Sequence, residues 1–298
     1  MGHRQILTYL FLLALMPLSA KALPPASPAG GNYLVLDGVD DYAVLDFETF
    51  GSLLPDGTEE FTFEAWIYLT APPDKKETTV LVILHQQVDM VIVNNEGQFN
   101  ELANLLNTDP PKGDLVLQMS SYLDGKFGQT LPFPISLELN QWYHIVHQVK
   151  GNQVTVIVND FGATHQHGQP LGHDRDPRNL RPKDFVLGGF GEIIVMPGRP
   201  PAKAFLDSFT GYIDEVRISA EARYDVNKKG FMPDGKFKDD AKTVALWHFD
   251  EPSGAQEFLD ASRNGHHLAG KNGAKIGDAL AVEAAGKLTT TWGRLKLK

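Results

Sequence analysis

The chain has 298 residues, 42% of them hydrophobic, and 27 Lys and Arg stand against 37 Asp and Glu for a formal net charge of −10. Such acidity argues against nucleic acid or anionic lipid as a partner. The absence of cysteine excludes disulfides, thiolate metal sites and a cysteine nucleophile.

Taken in chain order, residues 1–22 read as a secretory signal peptide. His3 and Arg4 precede an apolar stretch from Ile6 to Leu18, and Ala20-Lys21-Ala22 supplies the small-residue cleavage pattern. The stretch is about thirteen residues long and broken by Pro17, short of the roughly twenty that span a bilayer. Without Arg4 and Lys21 the balance is 25 − 37 = −12. No later segment approaches spanning length, so the expectation is a soluble protein, secreted or in the periplasm and cell envelope. An exported domain without disulfides rests on its core, and about 250 residues can bury one large enough.

Residues 23–31, with Pro24, Pro25, Pro28, Gly30 and Gly31, form a linker. The domain proper is expected over 32–282 and a basic tail with Trp292 over 283–298. Period-two alternation and β-branched runs predict strands over 33–36, 41–45, 61–69, 79–84, 89–93, 114–119, 142–149, 153–159, 185–187, 192–196, 209–218 and 244–249. In the third, Phe61, Phe63, Ala65 and Ile67 fall on one face and Thr62, Glu64, Trp66 and Tyr68 on the other; the first set reads as core and the second as an outer face, solvated or grooved. Val154, Val156 and Val158 alternate likewise, and Asn159-Asp160-Phe161-Gly162 supplies hairpin chemistry. Helix is expected at most over 101–106 and 220–225. With no amphipathic helix to cross between parallel strands, the fold class is all-β: an antiparallel two-sheet sandwich. Residues 94–112, 165–183 and 197–203 read as insertions between strands, and 275–280 as the start of a repeat that was never completed.

Leu36-Asp37-Gly38-Val39-Asp40-Asp41-Tyr42, Phe61-Thr62-Phe63-Glu64-Ala65-Trp66-Ile67, Trp142-Tyr143-His144-Ile145-Val146 and Gly211-Tyr212-Ile213-Asp214-Glu215-Val216-Arg217-Ile218 occur in that order. Together they resemble the laminin-G-like jelly-roll family of the concanavalin A-like lectin and glucanase group, over roughly residues 32–270. One departure concerns order. Leu246-Trp247-His248-Phe249-Asp250-Glu251, with Gly254, Asp260, Ser262 and Asn264-Gly265-His266, looks like the segment that commonly opens such domains, yet here it closes one. If the first and last strands are neighbours, moving a strand between termini keeps its contacts. Residues 244–249 are therefore expected beside the N-terminal strands.

The resemblance also frames the candidate chemistry. Glucanases of this group carry paired carboxylates on alternate residues of one strand. Asp46 and Glu48 have that spacing but run into a loop, and the adjacent Asp214 and Glu215 are expected to point to opposite faces, so no enzyme is predicted. Calcium at the rim is implied for many members, and Asp37, Asp40 and Asp214 are its candidate ligands here, against the alternative that such side chains cap turns. His165-Gln166-His167, with His173 and Asp174, could hold a transition metal, although the Gly- and Pro-rich loop reads better as a solvated insertion. His266 and His267 follow a Ser-Arg-Asn-Gly turn and read as turn and strand residues, not ligands. Indole faces stack on pyranoses, which nominates Trp66, Trp142 with His144, and Trp247 as glycan-binding residues; the alternative is that these rings belong to the sandwich. The resulting expectation is an exported, non-catalytic recognition module for a glycan, with calcium as its candidate structural ion. The alternative is a structural or protein-interaction sandwich whose partner is an extracellular or envelope protein.

Overall fold

The computed structural model describes residues 26–72, 78–84, 87–94, 115–123, 126–173, 184–189, 193–194, 202–203, 206–226 and 234–277. The predicted signal peptide, the 101–106 segment, Asp174 and the basic tail lie outside them. In chain order the strands are β1 (Tyr33–Asp37), β2 (Tyr42–Leu45), β3 (Glu60–Leu69), β4 (Thr78–Leu84), β5 (Gln87–Asn94), β6 (Leu115–Leu123), β7 (Lys126–Leu137), β8 (Trp142–Lys150), β9 (Gln153–Val158), β10 (Phe161–Gln166), β11 (Phe185–Leu187), β12 (Ile193–Ile194), β13 (Ala202–Lys203), β14 (Leu206–Ser208), β15 (Thr210–Ser219), β16 (Thr243–Trp247), β17 (Glu257–Phe258), β18 (Leu268–Lys271) and β19 (Lys275–Gly277). A single helical turn, α1 (Phe47–Phe50), follows β2, and Asp46 caps it by accepting the Thr49 amide at 2.8 Å. Asp46 thus serves a local structural purpose.

Two sheets stack. One has eight strands in the order β10-β9-β8-β3-β15-β1-β19, with β16 also on β15. The other has nine in the order β17-β18-β2-β11-β4-β5-β6-β7, with β14 on β4. Their pairings are antiparallel except β14 on β4, and β12 and β13 form a separate ribbon. Phe61, Phe63, Ala65 and Ile67 of β3 and Val154, Val156 and Val158 of β9 face the core, where Leu81, Val82, Phe185 and Leu187 of the opposing sheet meet them. This is the face that the alternation predicts.

Three expectations are corrected. Residues 220–225 form no helix; the segment instead lies over a sheet and bonds its backbone to side chains there. Lys275–Gly277 is no leftover repeat, because β19 pairs with β1 in register Tyr33 to Gly277. Residues 126–137 and 161–166, which alternate poorly, are strands because each pairs along its length with the strand before it.

The transposed segment behaves as a neighbour of the N-terminal strands. β1 and β16 share one edge of β15, β1 along Thr210 to Ile213 and β16 along Val216 to Ser219. Asn32, just before β1, donates its amide to Asp250 Oδ1 at 3.2 Å and its side chain to the Glu251 carbonyl at 2.9 Å. β18 then borders β2, as β19 borders β1.

Candidate functional site

The outer face of the eight-stranded sheet gathers most of the residues of interest. Register sets its rows: Tyr212 of β15 opposes Tyr68 of β3, which opposes Trp142 of β8, and Val35 of β1 lies beyond Tyr212. One row along, Asp214 opposes Trp66, which opposes His144. Further on, Arg217 opposes Glu64, and Ser219 opposes Thr62, which opposes Gln148. Directly opposed residues share a face, so three strands build one surface that is aromatic at one end and polar at the other.

The polar end is roofed by segments 220–226 and 234–240. Thr62 Oγ1 donates to the Glu221 carbonyl at 2.7 Å, Gln148 exchanges bonds with the Tyr224 backbone at 2.8 and 2.9 Å, and Trp66 Nε1 donates to the Gly235 carbonyl at 3.0 Å. Beneath the roof, Glu64 is fully buried. Arg217 Nε donates to its Oε1 at 2.7 Å, His144 Nε2 lies 3.2 Å from its Oε2, and the Tyr224 hydroxyl donates to the same oxygen. Burial pushes the Glu64 carboxyl up, but His144, Arg217 and Tyr224 together outweigh it and hold the group below its ordinary value. Burial and the Glu64 charge push the Tyr224 phenol up in turn. Charges so enclosed and so saturated with partners lock the roof to the sheet.

The aromatic end is more open. Tyr68 lies 5.3 Å from Trp142 and 5.6 Å from Tyr212 between ring centroids, and Tyr33 lies 4.8 Å from Tyr212 and 6.1 Å from Trp142. The rings are mutually tilted, as packed aromatic pairs prefer. Tyr33 and Tyr68 are buried, whereas Tyr212 and Trp142 are partly exposed on either side of Tyr68. Two strand spacings set the exposed rings about 10 Å apart. This is the part of the face that a ligand could reach.

Of the aromatic candidates, the structure therefore brings together Trp66, Trp142 and His144. Only Trp142 keeps a partly exposed ring. Trp66 is 7% exposed and packs with Phe237 and Leu246, while His144 is 0% exposed and packs against Trp66 and Phe237 at 5.3 and 5.6 Å. Trp247 does not belong to the face at all. It is fully buried in the inter-sheet core, stacked on Phe185 at 5.3 Å, with Nε1 donating to the His266 carbonyl at 2.8 Å. Pairing with Val216, an inward residue, turns its ring inward. Tyr68 is legible as outward from the β3 alternation; Tyr33 and Tyr212 are not, because a lone tyrosine in a strand carries no signal until register aligns it.

The acidic candidates do not converge. Asp37 Oδ1 accepts the Val39 amide at 2.8 Å and Asp41 Oδ2 accepts the Asp37 amide at 2.7 Å, which is turn capping. Asp37 opposes Thr210, four residues from Asp214 on β15, or about 13 Å along the strand. Asp37, Asp40 and Asp214 thus do not fit one shared ion, and among the described residues no three His, Asp or Glu side chains form a metal-holding group. Asp214 also departs from expectation. A bulge between Asp214 and Arg217 inserts Glu215, with φ at 50°, and brings both carboxyls to the outer side. Glu215 accepts the Phe237 amide at 2.8 Å and pairs with His248 Nδ1 at 2.8 Å. Asp214 Oδ1 accepts the Glu215 amide at 2.8 Å, and Oδ2 has no hydrogen-bond partner among the described residues. Burial pushes the Asp214 carboxyl well up, against the opposing Ser27 hydroxyl and with added repulsion from Glu215 and Asp250.

His165 and His167 sit with ring centroids 6.3 Å apart, and burial together with the neighbouring His167 lowers the His165 imidazole. His173 is buried elsewhere, against Phe61 at 6.4 Å. His266 and His267 lie in the irregular segment just before β18, and His267 Nδ1 accepts the Asp260 amide at 3.0 Å.

Comparisons with known proteins agree with this architecture. No curated protein sequence matches the chain. A proposed carbohydrate-binding protein from Bacteroides ovatus aligns at 19% identity and a TM-score of 0.50, covering 84% of this chain, which spans 61% of that one. A heptameric SAP-like pentraxin from Limulus polyphemus aligns at 15% identity and a TM-score of 0.38, over 65% of this chain and 78% of that one. Mouse laminin alpha1 domains LG4-5 align at 10% identity and 0.38, over 69% and 45%. A laminin G family model, described as the concanavalin A-like lectin/glucanases superfamily, matches residues 37–225, more than half of the chain. The chain therefore belongs to the laminin-G-like group of the concanavalin A-like lectin and glucanase superfamily.

Proposed function

We infer that this chain is an exported, non-catalytic glycan-recognition module that takes its ligand on the aromatic end of the outer sheet face. The observation that carries the reading is the row Tyr212, Tyr68, Trp142, with its two outer rings partly exposed on either side of a buried one. Ring faces about 10 Å apart suit the apolar faces of two sugar units of one chain. The roofed carboxylate of Glu64, and Glu215 with its His248 and Phe237 partners, support a binding role over hydrolysis. Carbohydrate binding, the activity proposed for the Bacteroides ovatus protein of like fold, is extended here to this chain. Export rests on the pattern of residues 1–22, and a secreted product beginning at Leu23 is its expected signature.

The test is a glycan array probed with the chain from Leu23 onward, in calcium and in chelator. Binding that falls tenfold or more in both Trp142→Ala and Tyr212→Ala is expected, without loss of fold. Equal binding in calcium and chelator is expected as well, since the three acidic candidates do not share a site. One observation favours a second reading, a protein-interaction sandwich without a sugar site: Tyr33 and Tyr68 are already buried by their neighbours. An array negative in both conditions selects that reading.

A further inference from the structure

Every open sheet must guard its edge strands, whose unpaired N–H and C=O groups template association with other chains. The nine-stranded sheet ends in β17, two residues long, and in β7, which carries Pro132 and Pro134 and whose pairing with β6 is broken by register shifts. The eight-stranded sheet ends on one side in β19, three residues long and carrying Lys275. β10, at the other end, has none of these devices. It runs six residues in unbroken register with β9, and residues 161–173 contain no Asp, Glu, Lys, or Arg, in a chain of net charge −10.

The direction of its backbone groups follows from the hairpin. Asn159 and Asp160 form a two-residue turn with Asn159 at φ 55°, so Val158 and Phe161 make the closing hydrogen-bonded pair. Alternation then turns the N–H and C=O groups of Gly162, Thr164 and Gln166 away from β9. Among the described residues β10 pairs with β9 alone, and Thr164 and Gln166 are exposed. Phe161 leads the strand with 46% of its surface exposed.

We propose that β10 is a self-association edge, at which two copies of this chain pair antiparallel about a twofold axis at Thr164 and join their eight-stranded sheets into one. This register opposes Thr164 to its own copy, Gly162 to Gln166, Ala163 to His165 and Phe161 to His167, and it keeps inward residues opposite inward ones. A second copy fits because two acidic molecules meet where neither bears a formal charge, and because the edge is its own complement under twofold symmetry. A basic partner would find no carboxylate here. So short a pairing buries less than the roughly 1,000 Å² of a stable interface, so the dimer is a weak, concentration-dependent one.

Sedimentation velocity on the chain from Leu23 onward, between about 1 and 300 μM, reads this directly. The expected result is a monomer at the low end and a dimer at the high end. Thr164→Pro removes an outward N–H, which an edge strand tolerates, together with the hydroxyl that bonds Thr155 Oγ1 at 2.8 Å, and Thr164→Lys sets two ammonium groups face to face across the axis. Both variants are expected to remain monomeric throughout, with an unchanged circular dichroism spectrum. If Thr164→Pro disturbs the fold, Thr164→Lys alone decides. A wild-type monomer at every concentration, or a dimer undiminished by a folded variant, overturns the proposal.

Discussion

Asp41 is 2% exposed, yet among the described residues its Oδ1 has no hydrogen-bond partner. Burial, aided by the nearby Asp37 carboxyl, pushes it up to about 6 from an ordinary 3.8. A raised carboxyl stabilises the fold fully below its unfolded value, and that contribution is lost as the pH climbs from about 4 through 6. Asp41→Asn keeps an acceptor for the Asp37 amide and adds a donor. It should gain roughly 1–2 kcal/mol at pH 7.5 and nothing at pH 4, as read by urea unfolding; a gain equal at both pH values contradicts the assignment. Arg217 presents the opposite case, since removing it strands the buried Glu64 charge. Arg217→Ala should cost about 3–5 kcal/mol in the same assay. Trp247→Ala should also cost about 3–5 kcal/mol, through the core cavity alone, while residual folded protein keeps its glycan profile. None of these three roles can be assigned from the residue alone. Tryptophan beside histidine reads as a sugar platform in β8 and in β16 alike, and only register separates the partly exposed Trp142 from the buried Trp247.

At the scale of elements, β3 was legible because each alternate side chain met a consistent environment: Phe61, Phe63, Ala65 and Ile67 reached the core, and Thr62, Glu64, Trp66 and Tyr68 did not. β10 was not legible, since a single-sided edge strand needs little apolar alternation to stay paired, and it is held by its hairpin. The 214–217 bulge escaped detection for a different reason. Periodicity assumes two residues per repeat, and an inserted residue inverts the expected faces beyond it, which is how Asp214 and Glu215 come to the same side. The start of β15 depends on Gly211, whose φ is 152° and where an added Cβ would sit 2.0 Å from the Tyr68 carbonyl oxygen. Gly211→Ala should therefore part β15 from β3 locally and cost about 2–3 kcal/mol. Because Tyr212 and Tyr68 are the pair displaced, any glycan binding should weaken beyond the loss of stability, which titration at a temperature well below the melting point can separate.

For the whole molecule, chain order matters less than adjacency. The last residue of β19, Gly277, pairs with the first of β1, Tyr33, so a hairpin turn could join them directly. A permuted chain opened at Gly230 and closed by a two-residue turn from Gly277 to Tyr33 should reach the same β-rich spectrum, with a melting temperature within about 10 °C of the parent. Failure to fold would mean that the residues the permutation removes, those before Tyr33 and those after Gly277, contribute more than the bonds of Asn32 to Asp250 and Glu251 suggest. By itself, the sequence determined the class of fold and the inward faces of its strands, because burying apolar side chains at period two is a local rule that each strand obeys alone. It also carried the family resemblance, through motifs whose spacing survives the transposition of the last strands. Tertiary structure alone decided which outward residues stay accessible. The roof of residues 220–226 and 234–240 arrives from far along the chain, engages Glu64, Trp66 and His144 through long-range hydrogen bonds and packing, and leaves Trp142 and Tyr212 as the reachable rings. Exposure is a property of what lies above a residue, and nothing in its own strand encodes that.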